Sequence, residues 1–385
     1  MRAALDGRDA LGILPTGGGK SVTYLLPAAL RPGLVVVLSP LVSLMQDQVE
    51  RAARARVPAG ALHGGVPPAE RRQVLARARR GDVRVLFMAP ERWASGRIRA
   101  LLDEVDIRLV AIDEAHCVVT WGYDFRPAYR ALGGVGQQVG APVLAVTATA
   151  TPDMSAELER ALALRDPIRV VRSFDRPNLR WSVVAVKDER ERWLRLAGQV
   201  VDAPGPVLVY TGTRPQTEAV RAGLARLGVD AEAYHAGLPQ PERARVQGRF
   251  LGGSCRAVVA TNAFGMGVDK ADVRRVVHWQ APGSLEAYYQ EAGRAGRDGL
   301  TADCVVLAGR GDHRLHRRFI DRSHPGRTAV RSAALGRLSA LRGYLSAREC
   351  RRKRLLAYFG EVCPPGGPGC CDRCDSTLRG PRGAL

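Results

Sequence analysis

The stretch "ALGILPTGGGKS", residues 10–21, decides which fold this sequence is expected to adopt. An apolar run leads into three glycines, a lysine and a hydroxyl, which predicts a strand, a tight loop and the start of a helix. Glycines in such a loop let backbone N–H groups face a phosphate at the helix N-terminus. Lys20 is expected to reach the β- and γ-phosphates of a nucleotide, and Ser21 to coordinate Mg²⁺. The predicted nucleotide-binding residues of this loop are Thr16, Gly17, Gly18, Gly19, Lys20 and Ser21.

This loop departs from the full P-loop pattern at one position. The pattern asks for glycine six residues before the lysine, where this chain has Leu14. A glycine-rich turn without a ligand is therefore the alternative.

Further apolar runs, each ending in a loop, alternate with amphipathic stretches, as in a parallel sheet covered on both faces. They are "LVVVLSP" (34–40), "RVLFMAP" (84–90), "RLVAIDE" (108–114) and "PVLAVTAT" (142–149), then, after a pause at 172–180, "PVLVYTGT" (206–213), "RAVVATNAFGMG" (256–267) and "VRRVVHW" (273–279). A chain of 385 residues is also too long for one core. We predict an α/β fold with two tandem parallel-sheet domains, 1–172 and 173–310, and a basic helical domain at 311–385.

Charge is distributed unevenly. The chain has 58 Lys and Arg against 38 Asp and Glu, a net charge of +20, and 14 of the cations stand between Arg310 and Arg354 against three acids. Clustered positive charge suits a polyanion such as nucleic acid. No run approaches the ~18 apolar residues of a membrane span, and charged residues interrupt the N-terminus as a signal peptide. We expect a cytoplasmic protein without a membrane partner.

A pair of carboxylates ends the run "RLVAIDEAH", residues 108–116. Asp113 at the carboxyl edge of a parallel sheet can hold Mg²⁺ beside the glycine loop, and Glu114 can orient and deprotonate a water. Paired acids on a surface loop usually mean only solvation, but a buried strand precedes these. Together the two motifs predict a magnesium-dependent NTPase.

The second domain offers a cation for the transition state in "YYQEAGRAGRDG", residues 288–299. Negative charge spread over the γ-phosphoryl oxygens calls for a cation, which Arg294 or Arg297 could supply, with Gln290 nearby. The alternative is an ordinary basic turn. A finger on one domain and the phosphate loop on the other would couple hydrolysis to opening and closing of the cleft between them.

With these motifs in view, the sequence resembles the RecQ family of superfamily 2 helicases over essentially its whole length. The motifs that carry the resemblance are "SPLVSLMQDQV" (39–49), "APERW" (89–93), "DEAH" (113–116), "HCVVTWGYDFRPAYR" (116–130), "TATAT" (147–151), "FDRPNL" (174–179), "YHAGL" (234–238), "ATNAFGMGVDKADVR" (260–274) and "YYQEAGRAGRDG". The resemblance implies two RecA-like domains and an ATP-dependent 3′-to-5′ DNA helicase acting on single-stranded and forked DNA in repair and recombination. It also leaves a single-stranded-DNA-binding protein as a possible partner, and we expect a monomer.

The resemblance also assigns residues. It places Lys20, Ser21 and Asp269 at ATP and Mg²⁺, Asp113 and Glu114 in hydrolysis, and His116 in coupling. It places Arg294 and Arg297 at the γ-phosphate, with Arg297 as the preferred finger and Gln290 beside them. It makes "WGYDFRPAY" a sensor of single-stranded DNA, in which aromatic rings stack on bases and an arginine supplies charge: Trp121, Tyr123, Phe125 and Arg126. The chain departs from the family pattern at Val119, Thr120 and Tyr123.

Five of the eight cysteines fall in the last 36 residues. In a reducing compartment, C-x₂-C after an upstream cysteine indicates a tetrahedral Zn²⁺ site rather than disulfides. Cys371 and Cys374 form the pair, and Cys350 resembles the family's first ligand. The fourth ligand is Cys370, which we prefer, or Cys363. Cys117, Cys255 and Cys304 are expected to be core thiols.

Two features of the ends shape the competing hypotheses. The family carries, upstream of the phosphate loop, a glutamine that reads adenine, and residues 1–14 contain none. Either Met1 is an internal methionine of a longer protein, which we favour, or this protein has lost that adenine-reading segment. Eleven residues follow Cys374, too few for the accessory domain of many relatives. The main alternative is a DNA-binding module with an impaired ATPase, and an RNA helicase of the DEAH type is a third hypothesis.

Overall fold

Two compact units make up the computed structural model, Met1–Ser173 and Phe174–Leu385. The structure describes residues 2–15, 17–40, 42–95, 98, 103–120, 127–264, 270–323, 326, 328–363 and 366–378. Each unit contains one parallel sheet. The predicted α/β class with tandem parallel sheets is therefore confirmed.

The first unit is built on a seven-stranded sheet in the order β3-β4-β2-β5-β6-β1-β7, in which every paired strand is parallel. Its strands are β1 (Ala10–Ile13), β2 (Leu34–Leu38), β3 (Ala59–Leu62), β4 (Val85–Met88), β5 (Ile107–Ile112), β6 (Val143–Thr147) and β7 (Ile168–Val171). The central strands are continuous apolar runs because both of their faces are buried.

Helices connect these strands and cover the sheet. They are α1 (Arg2–Leu5), α2 (Val22–Leu30), α3 (Val42–Arg54), α4 (Pro68–Arg79), α5 (Pro90–Ala94), α6 (His116–Thr120), α7 (Val135–Val139) and α8 (Pro152–Leu162), with a 3₁₀ turn at Pro127–Leu132. Because β5, β6 and β1 are parallel neighbours, the loops that follow them emerge at one sheet edge. That edge holds the glycine loop, the acidic pair and the "TATAT" segment.

The second unit contains a six-stranded parallel sheet in the order β10-β11-β9-β12-β13-β8. Its strands are β8 (Leu179–Val186), β9 (Val207–Tyr210), β10 (Ala231–Tyr234), β11 (Ala257–Ala260), β12 (Arg275–His278) and β13 (Ala302–Gly309). Its helices are α9 (Glu189–Val201), α10 (Arg214–Arg226), α11 (Gln240–Leu251), α12 (Leu285–Ala292), α13 (Asp312–Ser323), α14 (Thr328–Ser346) and α15 (Arg351–Tyr358), with 3₁₀ turns at Asn262–Phe264 and Ser376–Leu378.

The basic helical segment, expected as a domain of its own from residue 311, packs within the second unit. The cysteine-rich end of this segment, residues 370–374, pairs with the free edge of β8. The Trp181 N–H donates to the Cys370 carbonyl at 3.1 Å, and the Asp372 N–H donates to the Trp181 carbonyl at 3.0 Å. Farther along, the Tyr358 hydroxyl donates to Glu286 on α12 at 2.7 Å. The segment thus covers a sheet edge that would otherwise expose unpaired backbone groups.

Across the part of the chain that the structure describes, no helix is both long enough and apolar enough to span a bilayer.

Candidate functional site

The glycine loop follows β1 and runs into α2. Gly17 and Gly19 adopt φ of +83° and +78°, a left-handed conformation that residues with a β-carbon avoid. Ser21 precedes the first residue of α2, and the first N–H groups of that helix turn back to the loop: those of Val22 and Thr23 donate to the Gly19 and Lys20 carbonyls, both at 3.0 Å. The loop thus lies at the predicted strand-to-helix turn, and its binding of phosphate stays a prediction. Thr16, which was also assigned to it, lies outside the described residues.

Lys20 forms an ion pair with Glu114, although the two residues stand 94 positions apart. The Lys20 ammonium lies 2.7 Å from Glu114 Oε1, and both side chains are largely buried, at 15% and 17% exposure. The second carboxylate oxygen of Glu114 is 3.4 Å from His116 Nδ1. The structure therefore brings together the lysine of the glycine loop and the acid and histidine of the "DEAH" segment.

Asp113 is held at the end of β5 by a buried polar network. It is 6% exposed, and its Oδ1 accepts the Glu114 N–H at 2.9 Å. Gln48 from α3 hydrogen-bonds the Asp113 side chain and also accepts the Tyr24 hydroxyl at 2.7 Å. Mg²⁺ prefers oxygen ligands, so the partly desolvated carboxylate of Asp113 suits this ion. The Ser21 hydroxyl offers a second oxygen ligand in the same region of the fold.

The two adjacent carboxyl groups are driven apart in pKa. Burial, together with the negative charge of Glu114, raises the pKa of Asp113 to about 6. Burial also favours the neutral form of Glu114, but the Lys20 ammonium and the contact with His116 outweigh it and hold the Glu114 pKa well below its usual range. Glu114 is therefore an anion throughout the physiological range, fit to accept a hydrogen bond from water.

His116 links this acidic pair to the "TATAT" segment. Its Nδ1 lies 2.9 Å from the hydroxyl of Thr147, the last residue of β6, which is fully buried. Burial lowers the pKa of the imidazole, but its contacts with Cys117 and Glu114 outweigh that effect and raise the pKa to about 10. Glu114 and Thr147 thus hold His116 at two adjacent loops of the sheet edge.

Glu114 also carries backbone strain. Its φ is +47°, in the left-handed region that costs a residue with a β-carbon about 1–2 kcal/mol. Hydrogen bonds compensate locally, because the Asp113 N–H donates to Leu38 and the Ala115 N–H donates to Val146, both at 2.9 Å. Strain held in place at a buried acid is typical of functional positions.

In the second unit, Gln290 lies on α12, and Arg294 and Arg297 lie in the loop that follows it. Arg294 is 7% exposed. Burial raises the pKa of the Tyr210 hydroxyl to about 12 against the opposing effect of the Arg294 guanidinium, which hydrogen-bonds that hydroxyl. On the same helix, Glu291 accepts from His278 Nε2 at 2.8 Å. Arg294 is therefore held against the end of β9.

The cysteine sulfurs of Cys350, Cys370, Cys371 and Cys374 all lie within 4.8 Å of one another. Cys371 is 3.6 Å from Cys374 and 3.9 Å from Cys350, and Cys350 is 3.8 Å from Cys370. A tetrahedral Zn²⁺ with 2.3 Å bonds to sulfur requires sulfur–sulfur distances of about 3.8 Å, so the four thiols fit the ion. Cys363 is buried but is not a member of this group.

Backbone and side-chain groups prepare this cluster for a cation. Hydrogen bonds from the Cys370 thiol and from backbone N–H groups, that of Arg351 included, lower the pKa of Cys371 and favour its thiolate. Arg351 begins α15 directly after Cys350 and forms a buried ion pair with Asp372, which stands between two of the cysteines, at 2.9 Å. This ion pair joins α15 to the turn that carries Cys371 and Cys374, and it does so without a metal.

Comparison with known families agrees with this layout. Three family models match in chain order: the DEAD/DEAH box helicase at residues 1–157, the helicase conserved C-terminal domain at 192–299, and RecQ zinc-binding at 310–376. The ATP-dependent DNA helicase RecQ of Pasteurella multocida (strain Pm70) is 37% identical over 382 residues, which cover 99% of this chain and 59% of that protein. This chain belongs to the RecQ family.

Other RecQ-family proteins give the same picture. The ATP-dependent DNA helicase RecQ of Bacillus subtilis (strain 168) is 37% identical over 367 residues, or 95% of this chain and 61% of that protein. The chain thus spans about three fifths of these relatives. Among solved structures, Mycobacterium smegmatis helicase Lhr bound to ssDNA and AMP-PNP matches with a TM-score of 0.64 and 24% identity over 86% of this chain and 47% of that one. Helicase MrfA bound to DNA matches with a TM-score of 0.68 and 19% identity. The match covers 90% of this chain and 51% of that one.

Several predicted RecQ-family site residues lie outside the described part of the chain. They are Thr16, Asp269 and the aromatic-rich positions Trp121, Tyr123, Phe125 and Arg126.

Conversely, the structure adds residues that sequence reasoning did not assign a role. Gln48 stands in the quoted segment "SPLVSLMQDQV" and Thr147 in "TATAT", so their motifs were visible although their contacts were not. Tyr24 had no signal beyond its place in a helix.

Proposed function

We propose that this chain is the motor of an ATP-dependent 3′-to-5′ DNA helicase, which couples Mg-ATP hydrolysis to movement along single-stranded DNA and to duplex unwinding in repair and recombination. The observation that carries the proposal is the buried Lys20–Glu114 pair beside Asp113, at the edge of a parallel sheet where the glycine loop begins its helix. The chain spans only part of its relatives, which are named ATP-dependent DNA helicases.

The geometry supports a defined role for each residue of the first unit. A γ-phosphate at the glycine loop competes with Glu114 for Lys20, which now bonds the carboxylate at 2.7 Å. Glu114, once released by Lys20, is an acceptor for the attacking water. Asp113 and Ser21 would hold Mg²⁺, which neutralises charge on the phosphates when bound. Because Lys20 would release Glu114 only when phosphate is present, hydrolysis would depend on nucleotide binding.

The second unit supplies the cations in this proposal. Arg297 is the preferred finger for charge on the γ-phosphoryl oxygens, and Arg294 and Gln290 support it. Asp269 is proposed to contact the nucleotide. His116, which contacts Glu114 and bonds Thr147, is proposed to report the state of the acidic pair to the neighbouring loop.

DNA contact is assigned to two parts of the chain. Trp121, Tyr123 and Phe125 are proposed to stack on bases of a single strand, with Arg126 supplying charge. The basic stretch 310–354 is proposed to bind strand or duplex phosphates. The cluster of Cys350, Cys370, Cys371 and Cys374 is proposed to hold Zn²⁺ as a structural ion that secures this platform.

The test is ATP hydrolysis by the purified chain with and without single-stranded DNA. We expect stimulation by DNA that Glu114→Gln abolishes, whereas Glu104→Gln, an exposed acid of the same unit, leaves it intact. Tight DNA binding with no hydrolysis by the parent chain would reject the motor. Matched RNA strands that stimulate as strongly as DNA would favour an RNA helicase.

A binding module with an impaired ATPase is the second candidate function. Lys20→Ala separates the two candidates: a motor loses hydrolysis and unwinding of a forked duplex with a 3′ tail but still binds DNA. A binding module behaves identically before and after the substitution.

The monomeric state and a single-stranded-DNA-binding partner are proposed on the RecQ resemblance, and the cytoplasmic location on the charged N-terminus and the apolar pattern of the sequence. Analytical ultracentrifugation of the chain, with and without a single-stranded-DNA-binding protein, tests the first and the last. Fractionation of the producing cells tests the location.

A further inference from the structure

The segment Phe174–Asn178, which opens the "FDRPNL" motif, lies between the cysteine-rich region and the loop that carries the two arginines. It is also where the second unit begins, directly after Ser173. Nothing in the hydrolysis scheme above uses it. We call residues 293–300 the arginine loop.

On one side, the segment binds the backbone of the arginine loop. The guanidinium of Arg176 donates to the carbonyls of Gly293, Ala295 and Gly296 at 3.3, 3.0 and 3.0 Å. The Asn178 amide donates to the carbonyls of Gly296 and Leu300 at 2.8 and 2.9 Å. Five hydrogen bonds from two side chains thus converge on one short stretch of backbone.

These bonds meet a specific need of the loop. The chain leaves α12 at Ala292, and the first N–H groups of the loop turn back to the last carbonyls of the helix, so the carbonyls that Arg176 bonds belong to the loop itself. A guanidinium at that end satisfies carbonyls and complements the helix dipole, and its rigid fork reaches several acceptors at once. Gly296 has φ of +52°, and a β-carbon there would lie 2.6 Å from both Asn178 Nδ2 and the Leu300 carbonyl. The loop therefore closes tightly around the Asn178 side chain.

On the other side, the segment is anchored to α15 and the turn after it. Asp175 forms a bidentate ion pair with Arg352, one contact being 2.6 Å. The Phe174 N–H donates to Glu361 at 2.7 Å, and the Phe174 ring stacks on Phe359 with centroids 4.5 Å apart. Because α15 starts directly after Cys350, the fold of the cysteine-rich region sets the position of the segment.

From these contacts we infer that Arg176 is a positioning residue for the arginine loop: it fixes the backbone from which Arg294 and Arg297 project. Segment 174–178 then links the position of the arginine loop to that of α15, which starts directly after Cys350. The inference rests on the proposed ATPase function. In it, Arg176 touches no nucleotide and acts only through the loop carbonyls.

The test compares Arg176→Ala and Arg176→Lys with Arg180→Ala in DNA-stimulated ATP hydrolysis. Arg180 is a matched control, because it lies four residues along the chain and pairs at 2.6 Å with Asp303, which Arg275 also binds. A displacement of about 1 Å at a catalytic group costs about 100-fold in rate. We expect kcat to fall by about that factor in both Arg176 variants, with KM for ATP and affinity for single-stranded DNA within about twofold of the parent. Lysine fails because it lacks the fork.

Two further readouts separate positioning from simple loss of folding. Hydrogen exchange of peptides covering 290–300 should accelerate in the Arg176 variants and stay unchanged in Arg180→Ala, and added methylguanidinium should restore part of the kcat of Arg176→Ala. If Arg176→Ala does not fold, Arg176→Lys and Asn178→Ala carry the same test. Asp175→Asn should give a smaller fall in kcat, since it loosens only the anchor.

The inference is overturned if the Arg176 variants keep the kcat of the parent. It is also overturned if KM for ATP rises and affinity for DNA falls in parallel with kcat. The proposed function fails by a different result, which is a parent chain whose hydrolysis does not respond to Glu114→Gln.

Discussion

Replacing Arg351 by methionine is expected to destabilise the second unit strongly, because it removes the guanidinium that bonds both oxygens of a buried carboxylate. Arg351 is 1% exposed and Asp372 is 5% exposed. The guanidinium bonds both Asp372 oxygens, at 2.9 and 3.2 Å, and donates to the carbonyls of Tyr344 and Leu345 at 2.6 and 3.1 Å. Arg373 lies 3.8 Å from Asp372, too far to take over as a hydrogen-bond donor.

The size of the effect follows from this burial. Breaking a buried ion pair by removing one partner costs about 3–5 kcal/mol, whereas an exposed pair contributes about 0.2–1 kcal/mol. With a urea dependence of about 3 kcal/mol per M, the unfolding midpoint of the second unit should fall by about 1–1.7 M. Methionine preserves much of the side-chain volume, so cavity formation adds little.

The measurement is urea unfolding of the zinc-loaded chain by circular dichroism, with hydrogen exchange of peptides from 340–378 to assign the transition. Arg354→Met is the matched control on the same helix, since its pair with Glu349 is half-exposed; its midpoint should move by less than about 0.3 M. Arg351→Met combined with Asp372→Leu should regain most of the loss, because an apolar pair removes the unpaired charge.

Equal shifts in the Arg351 and Arg354 variants would refute the reasoning. A double variant that is no more stable than Arg351→Met would also contradict the prediction. In that case the buried charge of Asp372 would not be the source of the loss.

Three further predictions concern the residues proposed to bind metal and their neighbours. Cys370→Ser should lose bound zinc while Cys363→Ser keeps it, measured as zinc per chain after dialysis; equal retention would remove Cys370 from the ligand set. Burial raises the pKa of Asp113 to about 6, so its charge costs stability above that pH and none below about 4. Without nucleotide and with a metal chelator present, Asp113→Asn should therefore raise the free energy of unfolding by about 3 kcal/mol at pH 8 but not at pH 4. An equal gain at both pH values would show that the charge of Asp113 is not its cause. Gln48→Ala should raise the Mg²⁺ concentration for half-maximal hydrolysis about 10-fold; the exposed Gln46→Ala should not, and identical titration curves would exclude a role for the amide.

Local patterns were enough to predict the class of the fold. Apolar runs of strand length ending in loops indicated parallel sheets, because a strand buried on both faces leaves a continuous apolar signal. The glycine loop, the acidic pair and the C-x₂-C were visible for the same reason, since each is a short stretch whose chemistry depends on adjacent residues. The RecQ resemblance then gave their order a meaning, and the family matches confirmed it.

Contacts between distant residues were not predictable in this way. The Lys20–Glu114 pair, the Gln48 amide on Asp113 and the Arg176 fork join residues 65 to 120 positions apart, and no spacing rule connects them. The choice of Cys370 beside Cys350 depends on how the hairpin pairs with the edge of β8, which brings one sulfur to 3.8 Å.

The two parallel sheets, the glycine loop, the acidic pair and the number of available thiols could be read from the sequence, because hydrophobic period and loop chemistry act over a few residues. Only the tertiary structure decided which carboxylate Lys20 holds, which four thiols meet and what fixes the arginine loop. Those outcomes depend on which strands become neighbours and on which charges are buried together, and both are properties of the packed chain.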